Sequence, residues 1–461
     1  MRDILFTCIM VCALPACLLR PWVGILVWSW LGYMNPHRLC YGFAYNVVPW
    51  AELVAIATLT GFAITKDRSA FIWCRESILT IVLWAWFVIT TVFSLYPADA
   101  WFYLERTSKI MLMNLLAIPL VQSRARMRWL LLVIAGSLGF YGFKGGVFAI
   151  LTGGNYIVWG PPGSFVEANN SIALALNMCL PLFWYLRKEE PRPWVRYALL
   201  TTCCLSAIAV LFSYSRGAVL GFASLVLIFC ARSRRWYLAL PVIGLAGVLL
   251  FAVAPEKWVG RMQSIETYEE DRSAMSRLEA WQMGIKIAND RPLFGGGFWA
   301  FNHPETYRRY APELGKRATD AHSIYFNLLG EHGYVGLGLY IVLVLCTLAS
   351  LVSIYRTGQK YDDLAWLSDY SFMLGSSIVT YLVTGTFLSV AYFDFAWLLF
   401  TLVIVLKELT RRELEVRAPV RVGVRSLVPS SHLGKTLPVG AATGYQSRAP
   451  NSVPAASGRS A

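Results

Sequence analysis

A histidine and several arginines gather in residues 255–322, the one long hydrophilic stretch of a chain that is otherwise mostly apolar runs. The stretch carries Arg272, Arg277, Arg291, His303 and His322, and Arg216 ends an apolar run that opens on the same side. Arginine stays protonated in proteins, and its planar fork fits phosphate oxygens bidentately. Histidine is the side chain best suited to take a proton near neutral pH. Cations for an anion and a base for a proton, at a membrane face, point to a lipid-phosphate substrate handled at the bilayer surface.

Each candidate also has a plainer reading. Arg216 lies in Ser213-Tyr214-Ser215-Arg216-Gly217-Ala218, at a helix start between two apolar runs. Alone, it also reads as an interfacial anchor whose charge snorkels to water. The low-charge side is an unusual place for such an anchor, and Gly217 would let a ligand approach the backbone. Arg277, four residues before Trp281, also reads as part of a solvated helix face. Arg272 and Arg291 are weaker candidates for holding a diphosphate or glycan. Asp320-Ala321-His322-Ser323 marks the re-entry of the polar stretch into the membrane. Asp320 there is a loop neighbour more readily than an orienting partner. Glu331 is costly within a span unless it is paired or lines a cavity. Lys144, in Gly142-Phe143-Lys144-Gly145-Gly146, either pairs with a carboxylate such as Glu331 or reaches lipid phosphate. His37, His303 and His332 have no neighbours that suggest ligation.

The elements that must position these groups are membrane helices. Of 461 residues, 57% are hydrophobic and 15% charged, against about 25% charged in a soluble domain. Apolar runs fall at 4–34, 49–65, 77–95, 108–121, 128–151, 168–186, 197–213, 217–231, 236–254, 323–354, 366–390 and 392–406. They predict an all-α polytopic membrane protein of about 12 spans, with one large outer loop. The first run is interrupted by Arg20-Pro21 and is either one kinked helix or two short ones. Arg2 before an apolar run resembles a signal peptide. Asp3, Pro15 and the second run that follows favour an uncleaved first segment instead. Residues 273–289 space Met275, Leu278, Trp281, Met283, Ile285 and Ile287 as an amphipathic helix that stops at Asn289-Asp290-Arg291-Pro292. Three glycines at 295–297 then turn the chain.

Charge gives the orientation. Basic loops at Lys66/Arg68/Arg75, Arg124/Arg126/Arg128, Arg187/Lys188/Arg192/Arg196, Arg232/Arg234/Arg235 and Arg356/Lys360 fall on alternate connections, on the side of the basic tail after Lys407. The positive-inside rule makes that side cytoplasmic and puts the 255–322 loop and Arg216 outside, periplasmic in a bacterium. The net charge of +14 sits in the short loops and tail, while the long loop balances ten Lys/Arg against ten Asp/Glu, so it is not a nucleic-acid footprint. The ten cysteines show no CxxC and no zinc spacing, which indicates neither a disulfide framework nor a metal site. Three regions follow: an N-terminal membrane region over 1–165, a core over 166–406 that includes the loop, and a disordered basic tail over 407–461.

With these residues in order, the chain resembles the O-antigen ligase and polymerase-like membrane proteins. The resemblance rests on Ser215-Arg216-Gly217, Arg277 with Trp281, the turn from Pro292 to Gly297, and His322 at the end of a large outer loop. Phe165-Val166-Glu167-Ala168-Asn169-Asn170 is similar to the family's Asn-bearing span start, which adds Asn169 to the binding candidates. Met1-Arg2-Asp3, Trp28-Ser29-Trp30 and the segment Tyr33 to Arg38 look more narrowly like the O-glycosylation ligases found with exosortase A systems. Gly296 replaces the usual hydrophobic residue of the turn, and Ser323 the usual Asn after the histidine. The resemblance implies glycan transfer from a polyprenyl-diphosphate carrier to a protein or lipid acceptor, in the periplasm, with no metal, nucleotide or other cofactor. His322, Arg216 and Arg277 would be the catalytic groups. A polymerase joining lipid-linked repeat units would use the same residues. A flippase or transporter would need more intramembrane charge than Lys144 and Glu331, and would leave the outer loop idle. A non-catalytic scaffold and a metal-dependent transferase using Asp99 and Glu105 are the remaining readings.

Overall fold

The computed structural model describes residues 1–233, 254–263, 272–312 and 320–417, with positions 237 and 244. Most of the expected run at 236–254 lies outside the described residues; of the tail expected to be disordered over 407–461, residues 407–417 are helical and those from 418 lie outside the described residues. Those that are described form helices and turns, with no strand among them. Five helices are long and apolar enough to cross a membrane by length and composition: Arg2–Leu19 (α1), Arg75–Val92 (α4), Arg124–Leu151 (α6), Pro193–Leu211 (α8) and Ile324–Gly358 (α13). Between and after them come Pro21–Met34 (α2), Trp50–Ile64 (α3), Pro97–Leu120 (α5), Asn169–Glu189 (α7), Arg216–Arg232 (α9), Ala365–Gly385 (α14) and Asp394–Arg417 (α15). The polar stretch contributes Glu256–Gln263 (α10), Arg272–Asp290 (α11) and Pro304–Tyr310 (α12).

The interrupted first run forms two helices. Pro21 takes the first position of α2, where its missing N–H costs nothing. The chain reverses there, so Arg2 donates to the Leu39 carbonyl (3.4 Å) and Asp3 accepts from the Gly42 and Ala44 amides. Helix α5 begins earlier than its apolar run. Arg106 and Lys109, expected in a connection, therefore stand on a helix, as do Asp99 and Glu105. Pro97 at the first position and the Glu105–Lys109 pair (2.8 Å) support that polar start.

The basic connections meet at one end of the bundle. Arg126 pairs with Asp67 (2.5 Å), Arg124 with Glu189 (2.6 Å) and Arg128 with Glu190 (2.5 Å). Asp369 holds both Lys188 (2.5 Å) and Arg232 (3.1 Å), and Lys407 reaches Glu76 (2.9 Å). The amphipathic helix forms as α11. Met283 and Ile287 on its buried face join Phe301, Tyr307 and Ala321 in a small core that seats the polar stretch on the bundle.

Candidate functional site

His322 ends the polar stretch one residue before the cap of α13. Its φ of +48° is left-handed, an uncommon conformation for a residue with a Cβ. Three separate segments hold it there. The His322 amide donates to Ser389 Oγ (2.6 Å), Trp281 Nε1 donates to the Ala321 carbonyl (3.0 Å), and Asn302 Nδ2 donates to Asp320 Oδ1 (3.2 Å). Backbone held in a sparse region by several such contacts is a feature of functional sites.

Helix α11 carries Arg277 and Trp281 one turn apart on one face. Trp281 stacks on Phe326 with ring centres 4.9 Å apart and leans on Phe387 at 6.4 Å. This packing fixes the helix face that bears Arg277 beside the His322 turn. Burial, and then the positive charge of Arg277, hold the His322 imidazole below its ordinary pKa, while Asp320 pulls the other way. Burial raises the Asp320 carboxyl, against the Asn302 hydrogen bond and His322. A depressed imidazole is neutral at pH 7 and so able to accept a proton.

Arg216 opens α9. The preceding Ser215 caps the helix by accepting from the Ala218 amide (3.3 Å). Tyr214 has φ +59° and donates its hydroxyl to the Gly154 carbonyl (2.8 Å). Asn169, the first residue of α7, donates to the Ser213 carbonyl (2.8 Å). Asn169 thus holds the turn that presents Arg216. The space beside Gly217 is filled by Phe387, 3.2 Å from where a Cβ would sit, so this glycine admits a neighbouring side chain and not the expected ligand. Phe387 touches α9 on one side and leans on Trp281 on the other, and Ser389 follows two residues later. The starts of α9 and α13 and the face of α11 are joined through this one short segment.

The Pro292–Gly297 turn has a different task. Helix α13 breaks at Gly333, where φ is +69°. A Cβ there would lie 2.4 Å from the Leu293 carbonyl oxygen and 2.6 Å from that of Pro292. The turn docks into the break: Gly296 and Gly297 amides donate to the Gly330 and Glu331 carbonyls, and the Tyr334 amide donates to Pro292. Glu331 accepts from the Trp299 amide (2.9 Å) and from the Tyr392 hydroxyl (2.6 Å). Tyr392 also meets His332 Nε2 (2.7 Å), and His332 Nδ1 meets Thr90 Oγ1 (2.7 Å). Glu331, Tyr392, His332 and Thr90 thus form one continuous chain of hydrogen bonds, and the Thr90 hydroxyl ends it at the Phe87 carbonyl (3.1 Å). Glu331 is bound to protein partners, which meets the cost of burying it.

The remaining candidates lie elsewhere. Lys144 is exposed over the Phe140 ring (5.5 Å), in a groove with Arg2 and Trp30, and not with Glu331. Arg291 donates to the Phe93 carbonyl at the end of α4, a favourable place for a cation. The Arg272 backbone starts α11, and its side chain is outside the described residues. His303 stacks on Tyr96 (3.5 Å) and accepts from the Glu305 amide. Among the described residues, no three His, Cys, Asp or Glu side chains gather to hold a metal ion. Ser389, Asn302, Trp299 and Tyr392 are site neighbours that sequence reasoning missed. Each lies in a segment with no motif of its own, and only the packing reveals it.

Comparison with known proteins adds three findings. No curated protein matches the chain. Residues 1–190 match a family of unknown function, DUF5935. Residues 201–341, which contain Arg216, Arg277, His322 and Glu331, match the model of the O-Antigen ligase family, and this supports a membrane protein with ligase- or polymerase-type glycosyl transfer as its general function.

Proposed function

We propose that the chain is a glycan ligase of the bacterial inner membrane, transferring a saccharide from a polyprenyl-diphosphate carrier to an acceptor hydroxyl on the periplasmic face. The observation that supports it most is the half-buried His322, in a left-handed backbone conformation and under the opposing charges of Arg277 and Asp320, within the segment that matches the ligase family. In this reading His322 takes the proton from the acceptor hydroxyl. The freed oxygen bonds to the anomeric carbon, and the bond from that carbon to the carrier diphosphate breaks. The electron pair leaves with the diphosphate, whose developing charge Arg216 and Arg277 stabilise. No metal enters these steps. Asn169, Arg291 and Glu331 position the segments around the site, and Lys144, in its separate groove, takes no part. The N-terminal likeness to exosortase-associated O-glycosylation ligases suggests a protein acceptor.

The test is to extract and size polyprenyl-linked glycans from a strain lacking the protein. Full-length chains stranded on the carrier are expected of a ligase. Single repeat units would mean a polymerase using the same residues, and repeat units trapped on the cytoplasmic face would replace the catalytic reading with a flippase.

A further inference from the structure

A groove of about 990 Å3 opens between α3, α5 and residues 163–167, away from His322. Its long walls are apolar. Ala55, Ile56 and Leu59 line it from α3, and Leu112 and Met113 from α5. Ile56 is 61% exposed and Leu112 39%, so apolar side chains face the groove with little protein over them. The polar end has a definite charge arrangement. Lys109 is neutralised by Glu52 (2.9 Å) and Glu105 (2.8 Å), and Glu167 accepts from the Gly163 amide (2.8 Å). Arg38 and Arg106 also line the groove, and among the described residues neither has a carboxylate partner. Each lies over a ring instead: Arg38 at 5.9 Å from the Tyr45 centre, Arg106 at 5.8 Å from that of Phe165. The Arg38 guanidinium also occupies space that only glycine leaves open, since a Cβ on Gly163, at φ +69°, would lie 2.2 Å from its Nη1.

Two guanidiniums without carboxylates call for an anion that accepts several hydrogen bonds, and phosphate fits them best. Apolar walls running on from that point call for a hydrocarbon chain. A soluble phosphate has no use for the walls, and a neutral lipid none for the arginines. We propose that this groove seats a lipid phosphate, its head at Arg38 and Arg106 and its chain along α3 and α5. Two ring contacts link the seat to the segments around Glu331 and Tyr392. Phe165 packs on Phe393 (5.1 Å), next to Tyr392, and Tyr103, one turn from Arg106, stacks on Trp299 (4.4 Å). In the transfer reading it is a place for a second, phosphate-bearing lipid beside the donor, and the binding claim stands without that reading.

The test uses the purified full chain in detergent and a photoreactive long-chain alkyl phosphate, with adducts mapped by mass spectrometry. Adducts are expected on peptides from α3 and α5. Losing two charge-assisted contacts in R38Q/R106Q should lower them roughly tenfold or more, whereas R216Q should leave them. Ile56→Trp, which fills the groove and keeps both arginines, should remove the same adducts. Unchanged labelling in R38Q/R106Q, equal labelling by the matching alcohol without phosphate, or full competition by inorganic phosphate would each overturn the proposal.

Discussion

The two ends of the bundle use the same residue types differently. At the end that gathers the basic connections, Arg124, Arg126, Arg128, Lys188, Arg232 and Lys407 are all closed off by carboxylates from other segments. At the other end Arg277 acts on a histidine, the carboxylate of Asp320 is held by an amide, and Arg38 and Arg106 have no carboxylate among the described residues. Charge at the first end joins helices. Charge at the second is arranged around a group that can move a proton and around surfaces suited to an anion. In the proposed reading the contrast separates cations that assemble the fold from cations that serve chemistry, a distinction that a count of charges cannot make.

The sharpest way to break this comparison is to remove one cation from each end. Losing a charge-assisted hydrogen bond to the leaving diphosphate costs about 1.5–3 kcal/mol, so R216Q or R277Q should lower transfer roughly 10–100-fold. R126Q, at the paired end, should change transfer less than about twofold, as expected for an exposed ion pair. Initial rates with a lipid-linked glycan in vesicles make the comparison, and equal losses at both ends would erase it.

A smaller effect tests the backbone at His322. Ser389→Ala removes the acceptor of the His322 amide and leaves that donor unmatched, at about 1–3 kcal/mol. Transfer should fall about tenfold with KM little changed, while a variant indistinguishable from wild type would show that the +48° conformation needs no such support.

The pH profile sharpens the electrostatics. His322 must be neutral to accept a proton, so kcat/KM should fall as pH drops through its pKa, which lies below the ordinary imidazole value. Arg277 lowers that pKa, so R277Q should move the acid limb to higher pH. Asp320 raises it, so D320N should move the limb lower. A limb that stays fixed in both variants would separate His322 from the titration. The smallest effect belongs to the paired end: Asp67→Asn should cost about 0–1 kcal/mol of stability, read as a minor shift in thermal unfolding.

What the residue pattern foretold and what it missed have physical reasons. The amphipathic helix was legible because Met283 and Ile287 recur at helical spacing against a small core, and Asp290-Arg291-Pro292 stops it. The alternation of basic loops anticipated which connections share an end. The early start of α5 was not legible from hydropathy, since Asp99, Glu105, Arg106 and Lys109 obscure a helix that Pro97 and an i,i+4 ion pair sustain. The break at Gly333 was hidden within an unbroken apolar run, and depends on carbonyls of the 292–297 turn some forty residues earlier. Ser389, Asn302 and Tyr392 were invisible for the same reason: each meets its partner across a long sequence separation. The glycines at 295–297 read only as a turn, and the docking of the Gly296 and Gly297 amides onto α13 was not visible in them.

The most direct test of the central claim is single-turnover transfer by the purified full chain in vesicles, comparing wild type with H322Q while donor binding is measured in parallel. The account predicts unchanged donor binding and transfer reduced by about 10²–10⁴-fold, the usual contribution of a general base. Normal transfer by H322Q at equal protein level would contradict it.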